Sequence, residues 1–306
     1  MITNKKLSLY LDNVCNLKCG YCNVDYSKKR TFTDEDLYEW FSKNGDTIDR
    51  NSIKLCGGEP TVIYLSIFDF LDKEFKRIFM ITNLYDSKII EKWVERFGNR
   101  LDMVVSIHDE VVDTQFENIL KFKDYIRGIN IVVSHKNMKT VKNYVERIFE
   151  IGKRFDINLL PELPYDDSKR EFDKEELLTD LNEVLNTFSK HGKLYYLSNT
   201  NIVNNVKNGV TECDFARKVS IFLDGKISPC VCNSPFFISF KDVKTPNKNN
   251  KYDDCKTCRK CTLFTCNDGY INNSFDYEEF CFISKRIYDF CLEEEENARE
   301  YRSKNR

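Results

Sequence analysis

The chain has 306 residues, 41% of them hydrophobic and 31% charged, with 47 Lys and Arg against 49 Asp and Glu for a formal net charge of -2. That balance removes a general electrostatic case for nucleic acid, and the length suffices for one large domain and a smaller one. No apolar run reaches the roughly 18 residues a membrane helix needs, and the N-terminal "MITNKKLSLYLD" lacks an apolar signal core. The expected location is therefore cytoplasmic, where 13 cysteines read as metal ligands rather than disulfides.

In chain order, "KLSLYLD" (6–12) predicts a strand, and "DEDLYEWFSKN" (34–44), with Thr33 as N-cap, predicts a helix. "SIKLC" (52–56) and "RIFMITN" (77–83) are further strands. "SKIIEKWVERFG" (87–98) is an amphipathic helix ending at Gly98. "LDMVVSIHD" (101–109), "INIVVSH" (129–135) and "INLLPEL" (157–163) complete six strands, with helical periods between them. Val- and Ile-rich strands alternating with helices imply βαβ units and a parallel sheet, whose ligands sit at the carboxyl ends of the strands. The expected fold is α/β, a partial (β/α)6 TIM-like barrel. A helix over 173–192 then leads into a cysteine-rich region, where "VSIFLDGKISPCVC" (219–232) predicts a hairpin with a two-residue type I′ turn at Asp224-Gly225. The expected domains are 1–192, the barrel with its last helix, and 193–306, a cysteine-rich domain with a C-terminal helix over 283–302.

Three residues past the first strand comes "CNLKCGYC", placing Cys15, Cys19 and Cys22 on one loop. A cubane cluster has four irons and normally four cysteine ligands; three leave one iron open to a chelating molecule. This C-x3-C-x2-C spacing, with Tyr21 before the last cysteine, resembles the signature of the radical S-adenosylmethionine (radical SAM) superfamily. The resemblance implies a 4Fe-4S cluster whose open iron holds S-adenosylmethionine (SAM). Reductive cleavage of SAM would yield a 5′-deoxyadenosyl radical that takes a hydrogen from substrate.

The second strand runs into "CGGEP", and Gly57, Gly58, Glu59 and Pro60 resemble the family motif for the methionine amino group. Glycines permit close backbone approach, and a carboxylate can accept from an ammonium. Thr82 and Asn83 end the third strand where the family often has Thr-Asn bordering the cofactor. Ser106 on the fourth strand, and Ser134 and Asn137 at the fifth, occupy the family's positions near the ribose; each is equally consistent with an exposed polar residue. The resemblance covers roughly residues 6–165.

The remaining pattern runs Cys213, Gly225, Cys230, then Cys255-x2-Cys258-x2-Cys261-x4-Cys266, then Cys281. It resembles the SPASM extension of the same superfamily, which implies auxiliary 4Fe-4S clusters. With Cys232 there are eight thiolates, enough for two. By analogy Cys213, Cys230, Cys232 and Cys266 hold one, and Cys255, Cys258, Cys261 and Cys281 the other. The spacing within the tight run departs from the family's, so the partition can differ, a single auxiliary cluster can form, or zinc can take the run. Cys291 reads as a buried small hydrophobe. Cys56 is either packed beside the glycine turn or a redox-active thiol, and Asp109 and Glu162 lie near strand ends where they can face substrate.

The resemblance implies a radical SAM oxidoreductase fed by a one-electron donor such as flavodoxin or ferredoxin. Its substrate is expected to be a ribosomally made peptide or protein, through crosslinking, thioether formation, epimerisation or oxidation. The first strand begins almost at Met1, leading to the expectation of no separate leader-binding domain. A dehydrogenase of a small molecule, such as an aminosugar or alcohol, is the alternative enzyme. A non-catalytic iron–sulfur or zinc scaffold is the alternative of another class; the Gly57–Pro60 turn argues against it, since an electron carrier has no use for an amine site.

Overall fold

The computed structural model describes residues 5–19, 22, 26–133, 137–161, 174–191, 195–197, 218–228, 238–239, 286–287, 289–290 and 293. The chain forms two compact units: Met1–Val104 with Thr211–Asn272, and Val105–Val210 with Asn273–Arg306. The expected boundary at 192/193 falls in 192–194, outside the described residues.

In the first unit, β1 (Lys5–Tyr10), β2 (Ile48–Cys56), β3 (Ile78–Thr82) and the start of β4 (Leu101–Ile107) lie in that order. β1 runs parallel to β2, and β2 to β3. Alternation puts Leu7, Leu9, Ile53, Leu55, Ile78 and Met80 on a fully buried face. The other face presents Lys6, Ser8, Tyr10, Lys54, Cys56, Phe79 and Ile81, all at least partly accessible.

α1 (Asp34–Asn44) starts at Thr33 as expected, and the cap is reciprocal: Thr33 Oγ1 accepts from the Asp36 N–H at 3.1 Å, while Asp36 Oδ2 accepts from the Thr33 N–H at 2.8 Å. α4 (Ser87–Phe97) buries Ile90, Trp93 and Phe97 on one stripe and stops at Gly98, whose φ of 49° suits a residue without Cβ. Trp93 and Phe97 each meet Phe68 edge-on, at centroid distances of 4.5 and 5.2 Å.

Three features of the first unit depart from the sequence reading. Residues 60–75, for which the sequence reading named no element, hold α2 (Pro60–Ile63), a 3-10 turn (Tyr64–Ile67) and α3 (Phe68–Glu74), and bury Tyr64, Ile67, Leu71 and Phe75 at helical spacing.

The predicted hairpin exists as β8 (Lys218–Ile221) and β9 (Lys226–Ser228), but not with a type I′ turn. Among described non-glycine residues only Leu84 has positive φ, so Asp224 does not adopt the conformation that turn requires. Ile221 pairs with Ile227, leaving Phe222, Leu223, Asp224 and Gly225 between the two strands; Gly225 has φ 73° and its N–H meets Phe222 O at 2.9 Å. Leu223 O is then free to accept from the Thr31 N–H at 2.9 Å.

The third departure is that β8 adds in parallel to β1, Leu7 opposite Val219 and Leu9 opposite Ile221. Tyr10 stacks on Phe222 at 5.0 Å. β10 (Ile238–Ser239) pairs antiparallel with β9.

The second unit is also α/β. β5 (Ile126–Val133), β6 (Phe155–Pro161) and β7 (Tyr195–Leu197) run parallel. α5 (Val112–Phe122), α6 (Met138–Glu150) and α7 (Lys174–His191) accompany them. The buried residues include Ile129, Ile131, Val133, Ile157 and Leu159 from strands, and Val141, Val145, Ile148, Val184 and Phe188 from helices. Full burial of each such side chain stabilises by about 1.5–3 kcal/mol before entropy is charged against it. Gly128 faces the backbone of β6 so closely that a Cβ would lie 2.7 Å from Asp156 O.

Candidate functional site

β1 and β2 end level, Tyr10 opposite Cys56, and the segments beyond the two strands pack against each other. After β1 comes the loop of Cys15 and Cys19, and after β2 the Gly57-Gly58-Glu59 turn. The pairing continues past both strands: the Gly58 N–H donates to Asp12 O at 3.1 Å and the Glu59 N–H to Val14 O at 2.8 Å. Such contact leaves no room for side chains. A Cβ on Gly57, whose φ is 124°, would sit 2.4 Å from Asp12 O, and one on Gly58 2.2 Å from Val14 O. Both glycines are thus demanded by the cysteine loop itself.

Glu59 is 2% exposed. Its Oε1 accepts from Thr61 N at 3.1 Å, Thr61 Oγ1 at 2.7 Å and Thr82 Oγ1 at 2.6 Å, and its Oε2 accepts from the Asn83 N–H at 2.8 Å. Burial pushes its carboxyl upward, opposed by these bonds from Asn83, Thr82 and Thr61. Pro60 opens α2 at a position where no N–H is needed.

Asn83, just past β3, returns to the cysteine loop. Its Nδ2 donates to Asn16 Oδ1 at 2.7 Å and lies 3.8 Å from Cys15 Sγ, while its Oδ1 accepts from the Tyr85 N–H at 3.1 Å. Cys15 Sγ also accepts from the Leu17 N–H at 3.4 Å. Burial pushes the Cys15 thiol up, the Leu17 bond pulls it down, and the Glu59 charge adds to the rise. Cys15, Cys19 and Cys22 are half-buried, and the Cys22 N–H donates to Cys19 O at 3.0 Å. Tyr26 is raised above the ordinary phenol range, chiefly by its hydrogen bond to Cys22.

Three thiols on one loop, with N–H groups directed at the sulfur of the first, fit an iron–sulfur cluster by the softness of the donors and by the hydrogen bonds offered to sulfur. The two glycines, Glu59 and Asn83 lie on the turns that build that loop's surroundings, and Thr82 ends the strand before the second of them. Sequence reasoning missed Asn16 and Thr61, which have no motif of their own. It also missed Tyr64, which is fully buried and bridges the ends of β1 and β2: its hydroxyl accepts from the Leu11 N–H at 3.2 Å and donates toward Cys56 O at 2.6 Å and Leu9 O. Cys56 keeps some exposure as a residue, but burial around its sulfur pushes the thiol up, against the Lys54 charge and a Tyr10 hydrogen bond.

The other candidates that are described belong to the second unit or its share of β4. Ser106 is half-buried and its carbonyl accepts from Gln115 Nε2 at 2.7 Å. Gln115 Oε1 accepts from the His108 N–H at 2.8 Å, so one fully buried amide holds the end of β4. Asp109 accepts from Tyr144 OH at 2.8 Å, and Asn137 Nδ2 donates to Val132 O at 2.8 Å. Tyr21, Ser134, Glu162, Cys213, Cys230, Cys232, Cys255, Cys258, Cys261, Cys266, Cys281 and Cys291 lie outside the described residues. No described helix is long and apolar enough to cross a membrane.

No family model matches the chain. A probable GTP 3′,8-cyclase of Saccharolobus islandicus is 23% identical over 268 residues, covering 78% of this chain and 86% of its own length. The GTP 3′,8-cyclase of Pasteurella multocida is 25% identical over 155 residues, 48% of this chain and 41% of its own. Among solved structures, native anSMEcpe with bound AdoMet and the Cp18Cys peptide aligns with a TM-score of 0.56 at 20% identity, over 85% of this chain and 87% of that one. Streptococcus suis SuiB bound to precursor peptide SuiA aligns at 0.53 and 18% identity over 76% of this chain, which spans 60% of SuiB. These structural likenesses show the fold, an α/β architecture of the partial-barrel kind.

Proposed function

We propose that this chain is a radical SAM protein that modifies a peptide or protein, a reading supported by its three-cysteine loop and by the fold it shares with anSMEcpe. The observation that carries the site is the union of the three-cysteine loop with the Gly57–Glu59 turn and Asn83. Proteins of this superfamily use a 4Fe-4S cluster and SAM, which when bound together supply a carbon-centred radical able to take hydrogen from an unactivated C–H bond.

The chain's own residues have three tasks in this reading. Cys15, Cys19 and Cys22 would hold three irons. Gly57 and Gly58 keep the turn after β2 flush against the loop, where its backbone polar groups would border the cofactor. Tyr10, Cys56 and Phe79, on the accessible face of the sheet below, would line the approach of substrate. The peptide class is supported by the fold shared with anSMEcpe and SuiB, each solved with a peptide. Auxiliary clusters on the eight C-terminal cysteines remain part of the proposal, as do the domain division at 192/193 and an external one-electron donor.

A second reading, cyclisation or another reaction of a nucleotide, is favoured by the relatives named GTP 3′,8-cyclase. Anaerobically reconstituted protein, reduced with dithionite and given SAM, should form 5′-deoxyadenosine above a Cys15/Cys19/Cys22→Ala control. Adding a pooled library of Cys-, Ser- and aromatic-containing peptides should raise that rate, and GTP should not. The reverse pattern favours the nucleotide reading; no 5′-deoxyadenosine at all removes both.

A further inference from the structure

The side-chain amide of Asn83 is fixed from two sides. Its backbone N–H is held by Glu59 Oε2 at 2.8 Å, and its Oδ1 accepts from the Tyr85 N–H at 3.1 Å. Turning the amide over would set its NH2 against that N–H, so the NH2 must face the cysteine loop. There it donates to Asn16 Oδ1 at 2.7 Å and lies 3.8 Å from Cys15 Sγ, the reach of an N–H···S contact. Cys15 Sγ also takes the Leu17 N–H. Asn83 itself is 5% exposed, so water competes little for the contact.

From this geometry we propose that Asn83 is a positioning residue that acts through Cys15 to raise the reduction potential of the cluster on that loop, with Glu59 holding it in place. The proposal rests on the radical SAM reading above. The physical ground is that the reduced cluster carries one more negative charge than the oxidised one. N–H donors to its thiolates therefore favour the reduced form, and more so where water is excluded. Asn83 in this role serves electron entry, whatever else it borders. Glu59 in turn acts as a support in this role: its two oxygens accept four hydrogen bonds from three residues of the protein.

The test is an EPR-monitored redox titration of anaerobically reconstituted holoprotein without SAM, in wild type, Asn83→Ala and Asn83→Asp. The signal of this cluster is identified by its loss in the Cys15/Cys19/Cys22→Ala protein. Asn83→Ala should lower its midpoint potential with iron per chain retained. Asn83→Asp keeps an acceptor for the Tyr85 N–H but replaces the donor with a negative oxygen, and should lower the midpoint further. A midpoint unchanged or raised in both variants, with iron retained, overturns the proposal. Loss of iron from both also overturns it, since Asn83 would then be scaffold for the loop. If wild type shows no signal that the triple variant lacks, the radical SAM reading falls, and this inference with it.

Discussion

Glu59 Oε2 accepts the backbone N–H of Asn83 at 2.8 Å, joining the turn after β2 to the turn after β3 beneath the cysteine loop. Around this one buried carboxylate the ends of two strands are registered to each other. Glu59→Ala would strand Thr61 N, Thr61 Oγ1, Thr82 Oγ1 and Asn83 N without an acceptor. With about 1–3 kcal/mol for a buried unsatisfied group, the expected loss is at least ~3 kcal/mol, partly relieved if water enters. Glu59→Gln keeps one carbonyl oxygen and should cost less. Denaturant midpoints of the two variants, at unchanged slope, check the order; equal losses would count against it.

Gly58→Ala places a methyl 2.2 Å from Val14 O and 2.6 Å from Asn13 O, both backbone atoms. The cysteine loop must move as a body. The expected result is a loss of bound iron after reconstitution with far-UV circular dichroism nearly unchanged, because only the four-residue α2 adjoins Gly58 and the longer helices lie elsewhere. Full iron incorporation would show that the loop can yield.

Tyr64→Phe removes one oxygen that meets the Leu11 N–H and the carbonyls at the ends of β1 and β2. The phenol is fully buried, so those groups lose their partner without gaining water. The expected destabilisation is about 1–3 kcal/mol, with faster amide exchange at Leu11 as its local mark.

His108 has its imidazolium form held below the usual range by burial, against the pull of Glu110 and Asp109. Between that lowered value and about 6.5 the unfolded chain binds more protons than the folded one, so stability rises with pH in that window. Acidifying from pH 7 through 6 should therefore lower the unfolding free energy. His108→Gln should flatten that slope. An NMR titration placing His108 at or above 6.5 would contradict the sign.

Iron counting tests the assignment of the two cysteine groups together. Wild type should hold about 12 irons per chain and the Cys15/Cys19/Cys22→Ala variant about 8, from four per cubane cluster. A fall from about 8 to about 4 means one auxiliary cluster. Zinc in the variant would make the C-terminal cysteines structural.

Much of this protein was legible in its residues alone. The periods of α1, α4 and β4, the cap at Thr33 and the stop at Gly98 are local preferences, decided within a few residues of chain. That Cys15, Gly57–Glu59 and Thr82-Asn83 would lie together was legible, because each set ends or follows a strand, and parallel α/β architecture gathers strand ends. What the tertiary structure alone decided is who touches whom. Nothing near Asn83 in sequence points to Cys15, 68 residues away, or near Glu59 to Asn83, 24 residues away. The parallel docking of β8 on β1, and with it the turn at Gly225, depends equally on distant chain. Local sequence fixes backbone shape through sterics and hydrogen bonds of short range. The partners of a buried carboxylate or amide are set instead by the need to satisfy each polar group once packing has removed water, and that need has no sequence period to read.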